Sequence, residues 1–487
     1  MRINILLNAI GLVLKYAGIF LLLPVIIAVI FKENSAILPF VTAFIISEVL
    51  GFTLTIKKAE EKELNSTNKK EALAIVFFAW LIFGLVCAIP YLFFNFSIIN
   101  AVFEAISGIT TTGSSVISDF ANLPKALFFY RSMSQWLGGM GIIVLFIAVL
   151  PQFSVAGRQM FFGEAPVPIE EKITPRIRSS ATWLWSMYLI LTIAEILALV
   201  FLGKLDVFYS ICTAFSTLSL GGFPYIDSTI AIFASNKITL IVMAFMFITG
   251  VNFLLQYKFF IQKKFSSVLQ SEEFKAYLGI ILIAGLIISS ILIFQANYKP
   301  LNALLHGFFQ TISMITTTAF ASVNFELFPF DAKIILFALM FTGACAGSTS
   351  GGLKIIRVVF IYKYLKNEIS KIIHPTAIYP IKLEGRSTPE DVKIQLVGFI
   401  LFYFVIFGLS TTLTAFIEKN TLVALSGSIA TLSNTGCGFG EIIGLTGNFA
   451  SLNPITKLIF MFNMLVGRLE LIPFLALLHP DLWHRRG

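Results

Sequence analysis

Ile106-Ser107-Gly108-Ile109-Thr110-Thr111-Thr112-Gly113 is a phrase that this chain repeats. It returns as Ile312-Ser313-Met314-Ile315-Thr316-Thr317-Thr318-Ala319, and again as Ile429-Ala430-Thr431-Leu432-Ser433-Asn434-Thr435-Gly436. A looser copy, Ala214-Phe215-Ser216-Thr217-Leu218-Ser219-Leu220-Gly221-Gly222, lies between the first two. Each copy runs from a short apolar stretch into small hydroxyl residues and, in most, glycine. The copies stand roughly 100 residues apart, too far for a solenoid unit but far enough for a helical hairpin with its own re-entrant loop. Four such loops around one axis would form an ion pathway.

Across the chain, 57% of the 487 residues are hydrophobic and 51 are phenylalanine. That is more apolar surface than a soluble domain of this length can hide. Apolar runs of about 20 residues, enough to cross a ~30 Å hydrocarbon layer, recur along the chain. Clear ones are Ile5–Phe31, Ile37–Ile56, Ala72–Phe94, Leu184–Leu202, Leu278–Phe294 and Leu396–Phe416. An all-α polytopic membrane protein is expected. The first run is too long for a cleaved signal peptide and lacks a small-residue cleavage pattern.

The net charge of +9 follows topology. Basic residues cluster at Lys57-Lys58, Lys62 and Lys69-Lys70; at Arg158, Lys172, Arg176 and Arg178; at Lys258, Lys263-Lys264 and Lys275; and densely from Lys354 to Lys393. Alternate loops carry only Lys32, Lys125, Lys204, Lys299 and Lys419. The positive-inside rule puts the first group in the cytoplasm and every repeated phrase on the outer side. Nucleic acid is a poor partner, since no basic stretch leaves the membrane for long enough to form a domain. The four cysteines and four histidines show no metal-ligand spacing and read as packing and interfacial residues.

One plan is used four times: a spanning helix, a short apolar helix, the phrase, and a second spanning helix. The expected units are residues 71–150, 181–264, 271–366 and 390–480, the third with a broken second helix. A leading transmembrane helix pair fills residues 1–57. The fold expected is four pseudo-repeated helix–pore-loop–helix units around one central pore. Irregular backbone at membrane depth is tolerated only inside protein or beside a water-filled cavity, so the phrases should line the path.

A cation entering a membrane exchanges its hydration shell for oxygens, and rings of backbone carbonyls supply them without formal charge. Glycine reaches the backbone angles that aim carbonyls at one axis. Thr and Ser hydroxyls satisfy nearby backbone groups. The expected selectivity filter is Thr110, Thr111, Thr112, Gly113; Ser219, Leu220, Gly221, Gly222; Thr316, Thr317, Thr318, Ala319; and Ser433, Asn434, Thr435, Gly436. Each short helix would point its negative dipole end at the pore, favouring a cation. The plain alternative is four glycine turns between helices.

These phrases resemble those of the TrkH/KtrB potassium-uptake family, and the likeness covers nearly the whole chain. Arg131-Ser132-Met133-Ser134-Gln135-Trp136-Leu137-Gly138-Gly139-Met140-Gly141-Ile142 is similar to the family's signature after the first filter. Gly343-Ala344-Cys345-Ala346-Gly347-Ser348-Thr349-Ser350-Gly351-Gly352-Leu353-Lys354 resembles its third-unit motif, and Val466-Gly467-Arg468-Leu469-Glu470 its last-helix motif. The leading helix pair favours the TrkH branch. The resemblance implies K⁺ uptake across a bacterial inner membrane, a homodimer with one pore per subunit, gating by cytoplasmic TrkA-type nucleotide-binding subunits, and no bound cofactor.

The stretch from Gly343 to Gly352 is too rich in small residues for a continuous helix. Ile334–Phe341 and Leu353–Tyr364 then become halves of a broken one. The resemblance makes this loop a gate, with Gly343, Gly347, Ser348, Thr349, Ser350, Gly351, Gly352 and Lys354 as its residues. A small-residue helix contact is the competing reading. A phosphate cradle is not, because Lys354 follows Leu353 where a Walker loop needs Gly-Lys-Ser/Thr. Arg468 would lie about 20 Å along a helix starting near Pro454. A charge there costs on the order of 3 kcal/mol unless it meets water or a partner. Glu470, two residues on, cannot share its face. Arg468 is expected to project into the pore beneath the filter, with a buried salt bridge as the alternative. Arg131 and Glu104 are read as buttresses of the pore helix.

Ala319 departs from the glycine pattern. If its position needs a left-handed backbone, alanine costs about 1–2 kcal/mol, and K⁺ over Na⁺ preference would weaken. Na⁺, Rb⁺ and Cs⁺ are therefore further candidate ions. Either Gly221 or Gly222 could match Gly113. A secondary symporter is the competing function, but it predicts two-way pseudosymmetry and a midplane pocket. An enzyme would need a nucleophile–base pair or metal ligands at membrane depth, and no histidine lies within a motif.

Overall fold

Among the described residues of the computed structural model, six helices are long and apolar enough to cross a membrane by length and composition, and a bent pair would make a seventh. The structure describes residues 2–56, 69–141, 177–224, 233, 235–260, 262–263, 265–374 and 380–469. The basic connections 57–68 and 142–176 lie outside the described residues, as do Ile142, Lys264, Glu470, His479 and His484.

The chain begins with α1 (Ile3–Gly18), which runs through a 3₁₀ turn (Ile19–Leu22) into α2 (Leu23–Ile30) and is followed by α3 (Asn34–Thr55). Helices α1 and α3 pack along each other. Gly11 and Gly51 let them approach: a methyl group on Gly11 would lie 2.8 Å from the Gly51 carbonyl oxygen. Small residues bring backbones together in this way where lipid removes any hydrophobic drive for association.

Four sets of elements follow. The first is α4 (Lys69–Leu92), α5 (Ile98–Ile109) and α6 (Lys125–Met140). The second is α7 (Ile177–Phe201), α8 (Val207–Leu218) and α9 (Asn236–Thr249), with α10 (Phe253–Phe260) bent 102° from α9 and the short α11 (Phe265–Gln270) after it. The third is α12 (Glu272–Ala296), α13 (Pro300–Ile315), α14 (Phe330–Thr342) and α15 (Ile355–Ile373). A two-stranded hairpin, β1 (Lys382–Leu383) and β2 (Arg386–Ser387), precedes the last set: α16 (Glu390–Glu418), α17 (Thr421–Leu432) and α18 (Pro454–Arg468).

The short helices α5, α8, α13 and α17 start where the sequence supplies a stop and a cap. Ser97, Asp206 and Asn420 each accept a hydrogen bond from a first-turn amide, and Pro300 opens α13 with a preset φ. Each packs against the long helix before it: α4 on α5, α7 on α8, α12 on α13, α16 on α17. Each also packs against the helix that follows the phrase in the preceding set: α6 on α8, α9 on α13, α14 on α17, and α18 back on α5. The final contact closes the series into a ring, with the first and third sets facing each other across it.

In the third set, residues 343–354 separate α14 from α15 and are not helical. The break in the second set, between α9 and α10, was not anticipated. It occupies only Gly250, Val251 and Asn252, too few small residues to stand out in an apolar sequence.

Candidate ion pathway

All four short helices end the same way. The hydroxyl of the first filter-phrase residue donates back to the carbonyl four residues earlier: Thr110 to Ile106 (2.7 Å), Ser219 to Phe215 (2.7 Å), Thr316 to Ile312 (2.6 Å) and Ser433 to Ile429 (2.7 Å). The next residue is left-handed: Thr111 (φ 55°), Leu220 (54°), Thr317 (62°) and Asn434 (55°). Amides one step further on reach back to close the turn: Thr112 to Ser107 (2.9 Å), Gly221 to Ser216 (3.0 Å), Thr318 to Ser313 (2.9 Å) and Thr435 to Ala430 (2.8 Å). These are Schellman ends, which normally use glycine at the left-handed residue. An L-residue there costs on the order of 1 kcal/mol or more and persists only where its surroundings over-determine it.

Two residues later φ is positive again: Gly113 (86°), Gly222 (68°), Ala319 (55°) and Gly436 (89°). The residue between keeps φ negative in every copy. Reversing the sign of φ at alternate residues turns successive peptide planes over, which brings their carbonyl oxygens to one side of the strand. The register also settles the second loop: Gly222, not Gly221, corresponds to Gly113.

The loops interlock. A Cβ on Gly113 would collide with the carbonyl oxygen of Gly221, one on Gly222 with that of Thr318, and one on Gly436 with that of Thr112. Each fourth residue thus abuts the third carbonyl of the next loop, in the order one-two, two-three and four-one. The third loop has a real methyl at this place, on Ala319.

Buried polar groups hold the ring from outside. Arg131 on α6 and Glu104 on α5 form an ion pair at 2.7 Å, with 1% and 0% of their side chains exposed. Glu104 also accepts from the Val116 amide (2.8 Å), while Arg131 donates to Ser115 Oγ (3.0 Å) and the Pro224 carbonyl (2.6 Å). Removing one partner of so deep a pair would leave the other uncompensated. Gln135 donates to the Gly221 carbonyl (2.7 Å) and accepts from the Phe223 amide (3.1 Å). Ser114 donates to the Gly436 carbonyl (2.8 Å), and Asn434 Nδ2 to Thr112 Oγ1 (2.9 Å). The two engaged carbonyls each keep a second lone pair.

The chain between α14 and α15 lies against the same ring. Thr349 Oγ1 donates to the Leu218 carbonyl (3.0 Å), and the Gly351 amide donates to Thr317 Oγ1 (3.0 Å). A Cβ on Gly351 would collide with the Ser433 carbonyl. The segment thus touches the second, third and fourth loops. All residues from Gly343 to Lys354 are buried, and their own hydroxyls satisfy the irregular backbone. Ser348 donates to the Cys345 carbonyl (2.6 Å), Ser350 Oγ accepts from the Ala344 amide (3.1 Å), and Lys354 Nζ donates to the Ser350 carbonyl.

Arg468, at the end of α18, donates through Nη1 to the Thr349 carbonyl (2.7 Å) and through Nη2 to the Gly138 carbonyl (2.6 Å). Gly138 belongs to the first set and Thr349 to the third, which face each other. A guanidinium that joins opposite sets lies across the ring. Gly139, Ser350, Gly351, Lys354 and Arg468 line a cavity of about 30 Å³ there, room for a water or two but not for a hydrated cation.

A family model for TrkH, described as a cation transport protein, matches residues 32–295 and 293–483. The Trk system potassium uptake protein TrkH of Salmonella typhimurium is 36% identical over 478 residues, covering 97% of both chains. The chain belongs to the TrkH family. The protein of the same name from Vibrio parahaemolyticus is 34% identical, over 99% of this chain and 100% of its own. The crystal structure of the potassium transporter TrkH from Vibrio parahaemolyticus superposes with a TM-score of 0.89 at 32% identity, covering 99% of this chain and all of that one.

In this TrkH-family chain the four phrases come together, interlocked at the one-two, two-three and four-one junctions. The residues from Gly343 to Lys354 and Arg468 lie against that ring. Arg131 and Glu104 stand behind it. Sequence reading gave no part to Gln135, Ser114 or Glu273. The first lies inside a quoted motif, but only its contact with another set shows what it holds.

Proposed function

We propose that this chain carries K⁺ into the cell through a channel-like pore. Backbone carbonyls of Thr110–Gly113, Ser219–Gly222, Thr316–Ala319 and Ser433–Gly436 replace the ion's hydration shell. The pore is built from units 71–150, 181–264, 271–366 and 390–480 behind the helix pair 1–57. The observation that carries this reading is the shared backbone of the four loops, with its two left-handed residues each, in a ring closed by helix packing.

Hydrated K⁺ loses water at the loops and meets carbonyl oxygens in its place. It then passes toward the side where the Gly343–Lys354 loop and Arg468 stand. The loop gates by moving away from the ring. Arg468 places a cation in the path, which repels K⁺ until the loop carrying Thr349 shifts. The basic connections face the cytoplasm, so the filter opens outward, in a bacterial inner membrane. The chain works as a homodimer with cytoplasmic TrkA-type subunits, and binds no cofactor of its own.

Ala319 favours a second reading within this one, a pathway of weakened K⁺ over Na⁺ preference. The test is Rb⁺ uptake into potassium-starved cells expressing the chain. K⁺ and Cs⁺ should compete with Rb⁺. Uptake that needs a Na⁺ or proton gradient and ignores Cs⁺ would favour a symporter instead.

A further inference from the structure

Glu273 sits in the first turn of α12, 73 positions before Ala346 in the loop that lies against the ring, yet only 3% of it is exposed. One of its carboxylate oxygens, Oε1, accepts from the Ala346 amide (2.6 Å) and from the Ile356 amide (3.2 Å). These amides belong to opposite limbs of the loop, Ala346 on the way in and Ile356 in the first turn of α15. A single carboxylate oxygen thus clamps the two limbs. It also serves an otherwise orphaned amide at a helix N-terminus, where negative charge is favoured.

The clamp is itself held from the exposed side. The tip of the β1–β2 hairpin is Glu384, left-handed (φ 49°) and exposed. Its Oε1 accepts from Ser271 Oγ (2.9 Å) and from the Glu273 amide (3.0 Å). Its own amide donates to Glu272 Oε2 (3.1 Å), the oxygen that also pairs with Lys363 on α15 at 2.6 Å. Lys363 reaches back to the Lys382 carbonyl in β1 (2.7 Å). A continuous hydrogen-bonded chain therefore links an exposed hairpin to both limbs of a buried loop. The loop is also tied to the α9–α10 break, by Phe253 N to Gly347 O (2.9 Å) and Cys345 N to Gly250 O (3.1 Å).

We propose that Glu273 is a positioning residue that latches the intramembrane loop shut, and that the hairpin tip at Glu384 sets the latch. The inference rests on reading that loop as the gate. Displacing the hairpin withdraws the hydrogen bonds that orient Glu273, and the two limbs then part.

The test uses the full chain in liposomes, with Cys345 in the loop as the sole thiol after Cys87, Cys212 and Cys437 are replaced by serine. Rb⁺ flux and the rate of Cys345 labelling by a water-soluble maleimide are read on the same sample. Glu273→Ala should raise both, roughly tenfold or more for a lost charge-assisted hydrogen bond. Glu273→Gln keeps an acceptor and should stay much nearer the parent, which a merely bulky packing role would also allow. Glu384→Ala, at an exposed site that does not threaten folding, separates the two roles: it should raise labelling and flux to an intermediate level. Unchanged labelling in Glu273→Ala or Glu384→Ala overturns the latch and leaves the gate reading standing. Raised labelling with unchanged flux overturns the gate reading and the latch with it.

Discussion

Replacing Ala319 with glycine should sharpen the preference for K⁺ over Na⁺. Ala319 holds φ 55°, a conformation glycine adopts without the Cβ conflict that alanine suffers there. That conflict is worth about 1 kcal/mol or a little more. The neighbouring contacts give it a direction. In three junctions the fourth loop residue has no Cβ, because the third carbonyl of the next loop occupies its place. By that rule the methyl of Ala319 would stand where the other loops leave room for a neighbouring carbonyl, at the junction of the third and fourth loops. A carbonyl displaced there would no longer match the oxygen spacing that replaces K⁺ hydration, and the discrimination between the two ions would weaken. Relieving about 1 kcal/mol corresponds to roughly a fivefold change in the K⁺/Na⁺ flux ratio. The assay is flux into liposomes with K⁺, Rb⁺ and Na⁺, comparing the parent chain with Ala319→Gly. An unchanged ion ranking and ratio would refute the reasoning. The reverse change, Gly222→Ala, should be far worse, because its methyl meets the Thr318 backbone and not a side chain that could swing away.

Arg468→Ala should raise basal Rb⁺ flux tenfold or more, since a charge at membrane depth is worth on the order of 3 kcal/mol; an unchanged leak would show that Arg468 only staples helices. Glu104→Gln or Arg131→Met alone should destabilise the detergent-purified protein by about 3–5 kcal/mol, read as a fall in Tm, while the double replacement should recover much of the loss. Additive losses would argue against a coupled pair. Gln135→Leu frees the Gly221 carbonyl and the Phe223 amide, and should lower the K⁺/Na⁺ flux ratio, with a smaller fall in Tm than breaking the Glu104–Arg131 pair. A preserved ratio would mean that Gln135 does not set the position of the second loop.

The filter phrase could be read from sequence because its determinants are local. A hydroxyl that donates four residues back, a left-handed residue and a glycine two steps on all lie within one short stretch. The second loop was ambiguous for the same reason: Gly221 and Gly222 are adjacent, and only the left-handed Leu220 fixes which of them matches Gly113. Breaks in helices were legible where many small residues coincide, as from Gly343 to Gly352, but not at Gly250, where one glycine serves. Contacts between distant parts were not legible at all. Nothing near Glu273 announces that its carboxylate meets Ala346 and Ile356. Arg468 stood out by its cost at membrane depth, but its partners on opposite sides of the ring depend on how four sets of helices close.

The most direct measurement is the anomalous scattering of Rb⁺ in crystals of this chain grown in rubidium salt. Peaks on the axis, ringed by main-chain oxygens of Thr110–Gly113, Ser219–Gly222, Thr316–Ala319 and Ser433–Gly436, are the expected result. Rb⁺ bound elsewhere in the membrane region, with the ring empty, would contradict the account.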